Sequence, residues 1–186
     1  DINTLIEVDL DQSASTYTPR LRHAYGSIGN FLAGQTYTTF TNTSALAEID
    51  AATAVGNIVV RQPLVRWTQP IPDTAMDVMM AMEFPSSRFT RSSSAAASIE
   101  NVDDERFPDM VLRLNTRQDW GNISLSGMAR EIRYRDATKG IDEHAWGSAI
   151  SLAGRINIGN RDNARFMFSY GDVLGRYIVG GTYADA

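Results

Sequence analysis

Hydrophobic and polar positions alternate with a period of two along most of this chain, which predicts β-strands. Between Ala75 and Phe84, the residues Met76, Val78, Met80, Met82 and Phe84 share one parity, while Asp77 and Glu83 share the other with Ala75, Met79 and Ala81. A helix would mix these sets, whereas a strand sends them to opposite faces. The same pattern sets Ile6, Val8 and Leu10 against Glu7, Asp9 and Asp11, and Met110, Leu112 and Leu114 against Arg113 and Asn115. It returns with Ile123, Leu125 and Ala129 against Ser124, Ser126 and Arg130, and with Ile150, Leu152, Ile156 and Ile158 against Ser151, Arg155 and Asn157. Phe166, Phe168 and Tyr170 oppose Arg165, Met167 and Ser169. Weaker strands fit residues 20–26, 30–40 and 58–69, which makes about nine in all.

The connections between these strands alternate in length. Short turns fall near 27–29, 70–73, 117–119 and 159–163, and long connections at 41–57, 85–108 and 134–143. Segregation of tight turns to one end and long loops to the other is a property of outer-membrane barrels, and soluble sandwiches have no reason for it. Aromatic residues fit that orientation: Phe84, Tyr134, Trp146 and Tyr170 lie near long loops, and Trp67 and Trp120 near short turns, as two interfacial girdles would require. The alternation therefore predicts an all-β, antiparallel transmembrane barrel wall. The Ser/Ala-rich stretch from Ser92 to Ala97 reads as an external loop within a single domain over residues 1–186.

Composition removes several alternatives. The 186 residues contain no cysteine, which excludes a disulfide scaffold and thiolate metal sites. A net charge of -5 without a Lys/Arg cluster argues against nucleic acid as a partner. No apolar run is long enough for a membrane helix, which says nothing about barrel strands. His23 and His144 are the only histidines, so neither an HExxH site nor a His-rich metal cluster exists, and no GxSxG elbow or P-loop is present. The acidic group Glu100, Asp103, Asp104 and Glu105 lacks EF-hand spacing and reads as a solvated loop. No metal, cofactor or catalytic residue is expected. His144 and Ser148 share the lipid-facing parity of one strand, the one arrangement that suggests an outer-membrane lipid hydrolase. The other alternative is a soluble β-sandwich or lectin-like module, which would bury the Met76 to Phe84 face against a second sheet.

If the apolar parity faces lipid, the other faces a lumen, and it carries Arg22, Arg66, Arg113, Arg130, Arg155 and Arg165, with Arg20 at the rim. Lys139 is the sole lysine among 17 basic residues, so the lumen charge is guanidinium. Rings of such charges select anions; the bland alternative is that they pair with Glu7, Asp9, Asp77 and Glu83 on neighbouring strands.

The run Arg20-Leu21-Arg22-His23-Ala24-Tyr25-Gly26, continued by Asn30-Phe31-Leu32-Ala33-Gly34-Gln35-Thr36-Tyr37-Thr38-Thr39-Phe40, resembles the RLRHAY…FLxGQTWSTF signature of the DcaP-like trimeric porins. Arg61-Gln62-Pro63-Leu64-Val65-Arg66-Trp67 resembles the RQPxxRY strand of that family, and Ala47-Glu48-Ile49-Asp50 stands where members carry a PETLDF-like string. Tyr37 replaces the commoner tryptophan. The resemblance covers about the first third of the chain. It implies a sixteen-stranded, homotrimeric porin in the outer membrane of a Gram-negative bacterium, in contact with membrane lipid and lipopolysaccharide. It further implies passive diffusion of small anionic solutes such as dicarboxylates and aromatic acids. Glu48 and Asp50 would then sit on a constriction loop, opposite the wall arginines. Because bacterial barrels close with an even strand number, nine strands are expected to be one part of such a barrel.

Overall fold

A computed structural model describes residues 1–13, 16–46, 56–92, 97–102, 104–159, 161–178 and 185. Nine antiparallel strands form one sheet in which each pairs with the next along the chain: β1 (Ile2–Ser13), β2 (Thr16–Ile28), β3 (Phe31–Tyr37), β4 (Arg61–Pro70), β5 (Met76–Glu83), β8 (Asp109–Gln118), β9 (Gly121–Asp136), β10 (Ile141–Ile158) and β11 (Asp162–Gly171). A separate hairpin, β6 (Ser87–Ser92) with β7 (Ala97–Val102), lies between β5 and β8. The connections after β2, β4, β8 and β10 gather at one end of the sheet, and those after β3, β5 and β9 at the other. The strand β1 runs in the same direction as β11, so these two edges cannot pair antiparallel with one another.

The period-two pattern fixes the two faces. Val65 faces Met82, which faces Met110, and Leu114 faces Leu125, so their side chains make one continuous outward surface. Met80, Met82, Leu112, Leu125, Ile150 and Phe168 stay exposed there, the last at 69%. A soluble sandwich would have to bury this surface, and an apolar patch of this extent suits a hydrocarbon solvent. On the opposite face Asp77, Asn115 and Ser124 meet in register, as do Arg113 and Ser126.

Several expectations are corrected in detail. The expected long loop at 85–108 contains the β6–β7 hairpin, while residues 93–96 of the Ser/Ala stretch lie outside the described residues. The expected loop at 134–143 shrinks to four residues, 137–140, because β9 and β10 continue past the apolar belt. Charged cross-strand contacts hold that extension, chiefly Arg133 donating to both oxygens of Asp142 at 2.6 and 2.7 Å. Tyr134 leaves the outer girdle: it lies on the inner face with its ring 5.5 Å from that of Phe89. Phe84, Trp120, Trp146 and Tyr170 keep exposed positions near the strand ends.

A register shift between Glu7 and Val8 adds one residue to β2. Beyond that bulge parity inverts, so Arg20, Arg22 and His23 all reach the inner face although their numbers alternate. Gly34, at φ +132°, has no room for a side chain, because a Cβ would fall 2.2 Å from the Ala24 carbonyl oxygen.

Candidate functional site

The β3–β4 connection does not project outward. Its described residues turn across the inner face of the sheet and are fastened at successive points. Thr41 offers its carbonyl to an Arg113 Nη at 2.6 Å. The Asn42 amide nitrogen donates to Asn122 Oδ1 at 2.7 Å, Ser124 Oγ at 2.9 Å and the Ala153 carbonyl at 3.2 Å, while its Oδ1 caps the Thr43–Ala45 turn by accepting from the Ser44 amide. Arg165 reaches the Leu46 carbonyl. Phe40 and Ile58, both fully buried, pack with Val173, Leu174 and Tyr177 against Ala81, Val111, Met128 and Ala149 of the wall. Burying each such side chain contributes about 1.5–3 kcal/mol, which offsets the cost of ordering the segment.

A second inward segment, residues 172–178, supports the first. Ile58 forms an antiparallel bridge with Ile178, and the Val59 amide donates to the Tyr177 carbonyl at 3.0 Å. Both segments meet a buried polar cluster near the long-connection end. Glu83 accepts from Thr38 Oγ1 at 2.5 Å, the Thr39 amide at 2.6 Å and Gln62 Nε2 at 2.5 Å. Directly across the β5–β8 pair, Asp109 accepts from the Tyr177 hydroxyl at 2.6 Å and lies 3.3 Å from Arg130 and 3.5 Å from Arg176. Arg130 also donates to the Ser86 and Val173 carbonyls and to Asp185.

Toward the short turns the inner face opens into a polar cleft of about 480 Å³ between wall and loop, lined by Glu7, His23, Tyr25, Arg66, Arg113 and Arg117 together with Thr43 and Ser44 of the loop. Arg113 is held by Thr41 and Asn115, and Arg117 lies 3.3 Å from Asp77. Arg66 has no hydrogen-bond or ion-pair partner among the described residues. On the other side of the loop Arg155 stands directly opposite Arg165, and the Arg155 Nε is buried without a partner among the described residues.

All seven expected arginines thus share the inner parity, but in three environments. Arg20 and Arg22 sit at the rim on Asp9, with Glu7 2.9 Å from Arg22. Arg130 is enclosed at 0% exposure. Arg66, Arg113, Arg155 and Arg165 line the remaining inner face beside the loop. Glu48 and Asp50 lie outside the described residues. Sequence reasoning missed Arg117, which parity with Arg113 and Asn115 could have supplied. It also missed Asn42, Arg176 and Tyr177, for which loop residues carry no periodic signal. His144 and Ser148 are both exposed on the outer face of β10, four residues or about 13 Å apart, too far to share a proton. Outside the strands, burial pushes the Glu105 carboxyl above its ordinary value, against the opposing pull of a hydrogen bond from the Ser87 hydroxyl.

Comparison with known proteins agrees with this geometry. The family described as DcaP outer membrane protein matches over residues 6–186. No curated protein matches. Among solved structures, the outer membrane channel DcaP of Acinetobacter baumannii superposes with a TM-score of 0.76 at 23% identity, over 96% of this chain and 49% of that one. The likeness supports the fold, and the chain spans about half the length of that channel. With the match covering nearly its whole length, the chain belongs to the DcaP outer membrane protein family, and its place is the outer membrane of a Gram-negative bacterium.

Proposed function

We propose that this wall lines a water-filled porin channel through which small anionic solutes, dicarboxylates and aromatic acids among them, diffuse passively. The observation that carries the reading is Arg66: a guanidinium without a partner among the described residues, facing a cleft shared with Arg113 and Arg117 beneath an inward loop. Arg155, which stands opposite Arg165 and whose Nε has no partner among the described residues, extends the positive lining on the other side of that loop. Charged linings of this kind select by sign, and water moderates them: two unit charges about 4 Å apart in bulk water gain only about 1 kcal/mol. Such a channel favours anions and still lets them leave. Glu48 and Asp50, next along the same connection, complete the proposed constriction with opposite charge.

The channel is proposed as a homotrimer whose outward face meets lipid and, near the long connections, lipopolysaccharide. The continuous apolar belt supports the lipid contact. Single-channel recording of the intact protein in a KCl gradient should give a reversal potential on the chloride side. Arg66→Glu should reduce the chloride-to-potassium permeability ratio, by up to about fivefold per eliminated attraction of 1 kcal/mol. A wild-type cation preference would overturn the anion reading.

A further inference from the structure

The charges that keep the inward segments in place are not those that face the cleft. Glu83 and Asp109 are 1% and 0% exposed, yet hydrogen bonds from both inward segments converge on this pair. Glu83 accepts three hydrogen bonds, two of them from the β3–β4 connection. Asp109 accepts from Tyr177 of the second segment. Gln62 joins the two halves: its Nε2 donates to Glu83 and to the Tyr177 hydroxyl, at 2.5 and 3.1 Å, and its Oε1 accepts from Arg176. The backbones of the segments are then stitched together by the Ile58–Ile178 bridge.

We propose that Glu83 and Asp109 are positioning residues that clamp residues 38–46 and 172–178 to the wall as one unit, so that the aperture beneath the loop opens or closes with both segments together. The proposal rests on the channel reading only for what the movement does to the passage. A carboxylate is required at 83 because all three of its neighbours donate. An amide there would offer one accepting oxygen and turn an N–H₂ group toward donors. The coupling follows from topology: among the described residues Glu83 accepts no hydrogen bond from 172–178, and its influence reaches Tyr177 and Arg176 through Gln62.

The chain contains no cysteine, so introduced thiols report accessibility against a silent background. Thr39→Cys places a thiol at 0% exposure, and the Thr39 hydroxyl it replaces has no partner among the described residues; Val173→Cys does the same at 2% in the second segment. In outer-membrane vesicles carrying the intact protein, a small charged thiol reagent should react slowly with either single variant. Adding Glu83→Gln should accelerate both sites by about tenfold or more, as local opening of one cooperative unit requires. Thr38→Val, which removes one of the three bonds and keeps the charge, should give a smaller acceleration at both. It decides the matter if Glu83→Gln does not assemble.

Acceleration at Thr39→Cys alone would overturn the single unit, and acceleration at neither site would overturn the clamp. If both sites open while conductance and the solute size limit stay unchanged, the clamp stands. The reading of the loop as a constriction then falls.

Discussion

Arginines and carboxylates meet on the inner face in two places, and the same chemistry does different work in each. At the rim, Asp9 receives Arg20 and Arg22, with side chains 27–52% exposed, and Glu7 gives Arg22 a second partner. Under the inward segments, Arg130 stands against Asp109 and Asp185 with every side chain at 0%. The strands carrying the two groups alternate alike. What differs is cover: the Asp9 group stays partly open, whereas residues 172–178, with Ser86 and Ser87, enclose the Arg130 group. Exposed pairs contribute about 0.2–1 kcal/mol, and a buried charge deprived of its partner costs about 3–5 kcal/mol.

The comparison is broken most directly at Arg130. Arg130→Met keeps most of the volume and removes the cation, leaving Asp109 and Asp185 buried, with Arg176 the one remaining cation in an ion pair with Asp109 among the described residues. The expected loss is about 3–5 kcal/mol, seen as unfolding at lower urea concentration or loss of the heat-resistant band on electrophoresis. A loss below about 1 kcal/mol would mean that water reaches the cluster, and the distinction between the two regions would fail.

The contrast also marks what could be read from the sequence. All nine wall strands were legible, because lipid on one side and polar surroundings on the other impose alternation on every strand, whereas the expected long connection at 134–143 was not, because charged residues extend β9 and β10 beyond the apolar belt. The inner parity of the arginines was legible for the same reason, except around the bulge, where Arg20, Arg22 and His23 point one way against their numbering. The burial of Arg130 was not. It depends on Val173 and Tyr177, which lie outside the periodic strands, arrive from a connection distant in the chain, and pack with Phe40 and Ile58 against the wall. One trace of them was present: Met79, Ala81, Val111 and Met128 are apolar residues on the polar parity. An open lumen has no use for such a patch, but a docked segment does. The β6–β7 hairpin was hidden because its two strands flank a low-complexity stretch.

An intermediate case sharpens the comparison. Glu105, in the connection after β7, is partly buried, accepts from Ser87, and has its second oxygen buried without a partner among the described residues. Its carboxyl is raised above 4.5 by burial. The folded state therefore keeps the proton over an interval in which the unfolded chain has lost it. The contribution to stability is present in acid and declines as pH rises from the ordinary value through the raised one. Proteolytic nicking of this external connection should accelerate between acid and neutral pH, and Glu105→Gln should flatten that dependence. If the pH response survives in the variant, Glu105 is not its source.

The smallest effect is expected where charge is most visible. Asp9→Asn removes the carboxylate shared by Arg20 and Arg22, but both guanidiniums keep access to water and Arg22 keeps Glu7. Stability should fall by about 0.2–1 kcal/mol, and 1 M salt, with a screening length of about 3 Å, should narrow even that difference. Anion preference should rise slightly, because one negative charge leaves the rim while the arginines stay. A fall several times larger, insensitive to salt, would place the Asp9 group under cover in the assembled membrane protein. The two regions would then be one kind of site.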